Sequence, residues 1–264
     1  MDYQEIIYEK KDGVARITLN RQDKLNALTK LGIYEMTQAL AEAWVDSEVG
    51  VVVLTGAGDR AFCTGADVSK RDAKGYAGTI VALPLEQIWQ QATGLIRSIH
   101  KPVIARVNGY AIGGGHVLAL CCDLTIASEN AVFGQVGPRV GSFDPGYGTG
   151  DLIRAVGLKK AKEIWFLCRR YNAQQALEMG LANVVVPRDK LDEEVDGWCQ
   201  EILTKSPTAI KLLKCAFNAE LDGVVGVTNL GVAALGLYYR TEEAMEGVNA
   251  FLEKREPNFR KFVE

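Results

Sequence analysis

KPVIARVNGYAIGGGHVLALCCDLTIAS, residues Lys101–Ser128, holds the alternation that decides the fold. KPVIARVNG is a short apolar run rich in β-branched residues and closed by Asn-Gly, the pattern of a buried strand. Gly113, Gly114 and Gly115 interrupt it, HVLALCC follows with helical character, and CDLTIAS reads as a second strand. Strands alternating with helices define an α/β architecture. Working towards the N-terminus, Gln87 to Ser98 reads as a helix and VGVVVLTG (Val49–Gly56) as another buried strand. LGIYEMTQALAEAWVDS has apolar residues at helical spacing. IIYEKK and VARITLN alternate about Asp12-Gly13, a dipeptide suited to a hairpin turn. Towards the C-terminus the character changes at about Leu152. IRAVGLKKAKEIWFLC, NAQQALEMG, KLDEEVDGWCQEILTKS and EEAMEGVNAFLEKREPNF are mostly helical. The Gly-rich, charged stretch from Val68 to Pro84 is the expected mobile loop.

Composition narrows the function classes. Thirty basic against thirty-three acidic residues leave a net charge of −3, which offers no general attraction to nucleic acid. No window approaches the ~18 apolar residues of a membrane span, and MDYQEIIYEKKDG lacks the apolar core of a secretory signal. A cytoplasmic enzyme is the expectation. The cysteines, Cys63, Cys121, Cys122, Cys168, Cys199 and Cys215, form no CxxC pair and are expected as reduced core residues. Two histidines, His100 and His116, are too few for a typical zinc set, so no metal is expected.

Three segments could carry chemistry. CTGAD (Cys63–Asp67) and GYAIGGGH (Gly109–His116) are glycine turns, each following a strand. Glycine lets a backbone approach a ligand and aim its N–H groups at it, and two such donors can hold a thioester oxygen as charge develops. The same turns also serve as plain strand-to-helix connections. FGQVGPRVGSFDPGYG (Phe133–Gly148) contains Ser142 and Asp144, which could orient water or a substrate proton. Asp144 could equally form an Asx-turn or helix cap. No Ser-His-Asp set is visible, and GGG is neither GxGxxG nor a Walker loop.

NRQDKLNAL, AFCTGAD, KPVIARVNGYAIGGG and FGQVGPRVG, in this order and spacing, resemble the crotonase superfamily. The resemblance covers the chain from about residue 3 to the C-terminus. It implies one domain over 1–264: a ClpP-like spiral of ββα units to about residue 200, then a helical trimerisation region over about 201–264. It further implies an acyl-CoA substrate, a homohexamer built as a dimer of trimers, and no cofactor beyond the substrate's coenzyme A. The oxyanion donors it implies are the N–H groups of Ala66 and Gly114. The Lys24, Leu25 and Ala27 stretch and the turn Thr64, Gly65, Asp67 and Val68 would surround coenzyme A, with Lys254 near its phosphates. Tyr76 would lie against the acyl group, and Tyr110 either joins the site or packs beside it.

Family hydratases are expected to use two glutamates. Here Val117 and Gly137 occupy those positions, and neither transfers a proton. GSFDPGYG and the segments after it look like the branch containing 2-ketocyclohexanecarboxyl-CoA hydrolases and dihydroxynaphthoyl-CoA synthases of menaquinone biosynthesis. In that branch Ser142, Asp144 and Tyr239 match the polar catalytic positions, Tyr239 reaching a neighbouring subunit's site. Leu25 replaces an arginine and Val136 a threonine expected of synthases, so ring-opening hydrolysis is the preferred reading over ring closure. A non-enzymatic RNA-binding homologue finds no basic stripe to support it.

Overall fold

The computed structural model describes residues 2–72, 75–76, 83–144 and 146–262. The chain forms two compact units, Met1–Pro207 and Thr208–Glu264. In the first, β1 (Ile6–Lys11) and β2 (Val14–Leu19) pair as an antiparallel hairpin, with Asp12 and Gly13 both at positive φ. Helix α1 (Lys30–Val45) follows, its first turn capped by the Thr29 hydroxyl, which accepts from Gly32 N–H at 3.1 Å.

Strands β3 (Val51–Gly56), β4 (Ala61–Cys63), the short pair β5 (Arg71–Asp72) and β6 (Gly75–Tyr76), and helix α2 (Leu85–Ser98) come next. They lead to β7 (Val103–Val107), β8 (Tyr110–Ile112), α3 (Gly114–Cys121), β9 (Leu124–Ser128) and β10 (Val132–Gly134). Helices α4 (Tyr147–Val156) and α5 (Leu158–Leu167) precede β11 (Arg170–Asn172), α6 (Ala173–Glu178), β12 (Val184–Val186) and α7 (Leu191–Leu203). One sheet has the order β1-β2-β3-β7-β9-β12, and a second has β11-β10-β8-β4. The consecutive pairs β3/β4, β7/β8 and β9/β10 each place one strand in each sheet, and a helix follows each pair. That repeat is the ββα spiral.

The large sheet is buried on both faces, which is why VVVL shows no polar alternation. Val52, Leu54, Val103 and Ala105 face the main core. Val51, Val53, Ile104 and Ile126 face the other way, under Leu191, Val195 and Cys199 of α7. The expected helix from Ile153 to Cys168 is broken at Gly157, whose φ of 77° separates α4 from α5. Cys168 is half-buried rather than core, because it ends α5 in the left-handed region at φ 50°. The other five cysteines are buried, and all six are free thiols.

The second unit is helical: α8 (Pro207–Asp222) opens at the boundary, followed by α9 (Val224–Tyr238) and α10 (Glu242–Glu253). Within it Glu246 accepts from Arg255, Lys261 and the Asn258 N–H, tying the C-terminal segment to α10. No helix among the described residues is long and apolar enough to cross a membrane. Residues 73–74 and 77–82 of the loop expected to be mobile, and the Tyr76 side chain within it, lie outside the described residues.

Candidate active site

Two glycine turns converge. A methyl group on Gly65 would lie 2.9 Å from Gly114 N, and one on Gly114 would lie 3.2 Å from Gly65 Cα and 3.8 Å from Ala66 N. Only hydrogens permit so close an approach, with Gly65 at φ 84°. Ala66 forms a parallel bridge with Leu28 through two hydrogen bonds, Leu28 N–H to Gly65 C=O and Asp67 N–H to Leu28 C=O, both 2.8 Å. The bridge leaves Ala66 N–H unspent. Gly114 is the first residue of α3, where an N–H has no partner inside the helix. Both residues are half-buried.

The segment expected around coenzyme A is built beside them. Leu25 and Asn26 sit back to back in the left-handed region, at φ 51° and 55°. The buried Asn26 amide stabilises this bend by donating to Ala57 C=O and Ala61 C=O at 3.0 and 2.7 Å. Thr64 hydroxyl donates to Leu25 C=O at 3.2 Å. Arg21 donates to Ala27 C=O at 2.6 Å and to Asp67 at 2.9 Å. Burial pushes the Asp67 carboxyl up, but hydrogen bonds from Ser69 and Arg21 together outweigh it and hold the group below its ordinary range. The Asp67 carboxylate is thus engaged in joining the two segments. Lys24 and Val68 are exposed. Tyr110 is half-buried with the Arg170 guanidinium 5.6 Å from its ring centre, a packing arrangement.

Asp144 precedes α4. Its Oδ1 accepts from Gly146 N–H at 2.9 Å and Gly148 N–H at 3.3 Å, supplying the cap that Gly146 cannot. Its Oδ2 accepts from the Trp89 indole N–H at 3.1 Å. The far edge of that indole lies beside the glycine turn: the methyl imagined on Gly114 would lie 3.5 Å from Trp89 Cη2. One tryptophan therefore lies between the glycine turn and the carboxylate. Sequence reading missed Trp89, whose only signal was an aromatic residue within a helix.

Ser142 is exposed and shares no hydrogen bond with Asp144 among the described residues. Its N–H donates to Gly137 C=O at 2.8 Å, closing a tight turn. That turn leaves no room for a side chain at Gly137, because a methyl there would lie 2.7 Å from Ser142 C=O and 2.9 Å from Trp165 Cζ3. Val117 lies against α4: a methyl on Gly148 would sit 2.8 Å from Val117 Cγ2 and 2.9 Å from Asp144 Cγ. Val136 is also an apolar neighbour of the turn, 3.3 Å from a methyl imagined on Gly113. Tyr239 and Lys254 belong to the second unit; both are exposed, and Lys254 ends α10 at φ 54°.

The enoyl-CoA hydratase/isomerase pattern matches residues 9–261. The fold is shared with an enoyl-CoA hydratase from Bacillus anthracis at 33% identity and TM-score 0.75, over 97% of this chain and 99% of that one. It is also shared with an enoyl-CoA hydratase subunit I from Geobacillus kaustophilus HTA426 at 32% identity and TM-score 0.78, over 98% and 99% of the two chains. An enoyl-CoA hydratase/carnitine racemase from Magnetospirillum magneticum matches at 30% identity and TM-score 0.77, over 98% and 96%. This chain belongs to the enoyl-CoA hydratase/isomerase family, the crotonase superfamily of acyl-CoA enzymes.

Proposed function

We propose that the protein opens the ring of a cyclic β-oxoacyl-CoA, such as 2-ketocyclohexanecarboxyl-CoA, by hydrolytic carbon–carbon cleavage. The observation that carries this reading is the Asp144 carboxylate, held by Trp89 beside a pair of backbone donors that the turn leaves unused, where Val117 and Gly137 supply no acid or base. Two-carboxylate addition of water across a double bond finds no carboxylate at positions 117 and 137. Enolate chemistry at a thioester needs the donor pair and one base.

In the proposed reaction, Asp144 takes a proton from water as the water oxygen attacks the ring ketone carbon. The bond from that carbon to the ring carbon beside the thioester then breaks. Its electron pair passes to the thioester enolate, whose oxygen is held by Ala66 N–H and Gly114 N–H. Protonation of that carbon completes an open-chain dicarboxylic acid monothioester. One water is consumed and no redox change occurs, so the substrate's own coenzyme A is the only cofactor. Ser142 helps orient the water, and Tyr239 of a neighbouring copy polarises the ketone or delivers the final proton. Lys24, Leu25, Ala27 and the Thr64–Val68 turn line the path of coenzyme A. The working form in this reading is a cytoplasmic homohexamer.

The test is mass spectrometry of products from a panel of cyclic β-oxoacyl-CoAs and from succinylbenzoyl-CoA, in water enriched in oxygen-18. The expected product gains one water and carries one labelled oxygen in its new carboxylate. Cyclisation of succinylbenzoyl-CoA, with every cyclic β-oxoacyl-CoA left untouched, would establish ring closure in its place.

A further inference from the structure

We infer that Trp89 is a positioning residue for Asp144, and that this one side chain keeps the carboxylate in register with the oxyanion turn. The inference rests on the role proposed above for Asp144. An ionised carboxylate offers about four acceptor sites. Asp144 has three donors: two N–H groups of the α4 first turn on Oδ1 and the Trp89 indole N–H on Oδ2. The α4 donors alone fix one oxygen and leave the carboxyl group able to turn about it. The indole N–H on the other oxygen stops that rotation and leaves one acceptor site on Oδ2 for water.

The opposite edge of the same indole faces the glycine turn across no more than the space of a methyl group, so the base and the donors lie on either side of one rigid ring. That ring is itself anchored. Two helical turns further along α2, Arg97 donates to Asp151 of α4 at 2.7 Å, and both side chains are nearly buried. Trp89 and Arg97 therefore hold α4 at two points, and loss of one indole N–H leaves the second grip in place. Removing that N–H should loosen the carboxylate without dismantling the helix pair. Misplacement of a reacting group by about 1 Å can lower a rate by roughly a hundredfold.

The experiment is a double-mutant cycle in the full chain with 2-ketocyclohexanecarboxyl-CoA: Trp89→Phe, Asp144→Asn and the double variant, each checked by thermal melting. Trp89→Phe is expected to lower kcat by about tenfold with KM within about twofold. In the Asp144→Asn background the same change should lower kcat by less than about twofold, because residues acting as one unit are not additive. An unchanged kcat in Trp89→Phe overturns the inference, as do a loss confined to KM and losses that multiply in the double variant. Near-normal kcat in Asp144→Asn alone, or no turnover by the unaltered protein, instead overturns the proposed function, and this inference falls with it. If Trp89→Phe does not fold, β-(3-benzothienyl)alanine at position 89 keeps the bicyclic shape, lacks the N–H, and is read by the same criteria.

Discussion

Gly114 shows how much one hydrogen atom decides at this site. A methyl there would stand 3.2 Å from Gly65 Cα, 3.5 Å from Trp89 Cη2 and 3.8 Å from Ala66 N, inside the space towards which the two donors open. Gly114→Ala should therefore exclude the thioester oxygen while the protein still folds. The variant keeps the N–H but denies the oxygen access to it, and losing an oxyanion-donor interaction typically lowers kcat by about a hundredfold to a thousandfold. We expect a loss of at least about a hundredfold in a variant that still folds but melts lower than the parent, because the Gly65 backbone must give way to the methyl. Steady-state kinetics beside a thermal melt checks this, and a variant with parental kcat would remove Gly114 from the site. The glycine turn was visible in the sequence because only glycine tolerates such backbone contact. Its alternative as a plain connection could not be dismissed until the second turn was seen against it. The Trp89–Asp144 bond was not legible, since it joins residues 55 positions apart through the packing of two helices.

At the scale of the element, α3 carries both the Gly114 donor and the buried His116. Burial holds the His116 imidazole down to about 4 from its usual 6.5. Its Nδ1 lies 3.3 Å from Gln135 Nε2, and its ring meets Phe133 edge-on. Between those two pH values the unfolded chain binds a proton that the folded chain does not. Stability is therefore complete above about pH 6.5 and falls as the pH drops towards 4, by about 3 kcal/mol over the whole window. Melting temperature measured from pH 7.5 to 4.5 should decline, and the decline should be shallower in His116→Leu. Equal slopes in the two proteins would assign the pH dependence to other groups. Elements themselves were largely readable: β-branched runs gave β3, β7 and β9, and helical spacing gave α1, α2 and α7. The division between α4 and α5 was missed because both halves share one apolar period across Gly157. Only the positive φ of that residue separates them.

Across the whole molecule, the second unit exposes apolar side chains that a lone chain would leave to water. Val224 and Phe251 are each 83% accessible, and Phe217 and Leu252 are also exposed. Patches of this kind mark interaction surfaces, and self-association is the expected occupant. Light scattering should report an oligomer, and Phe251→Glu should shift it to smaller species. If Tyr239 serves a neighbour's site, mixing Tyr239→Phe with Asp144→Asn subunits should regain activity above either alone. Mixed oligomers without regain would confine Tyr239 to packing. The turn at Gly137 has a consequence on a longer timescale. A glutamate at position 137 would need space that the Ser142 carbonyl and Trp165 now close, so that change alone should unsettle the turn before it adds a carboxylate. On the proposed reading, the loop would have to be rebuilt first, and the step to a two-carboxylate site is longer than two substitutions suggest.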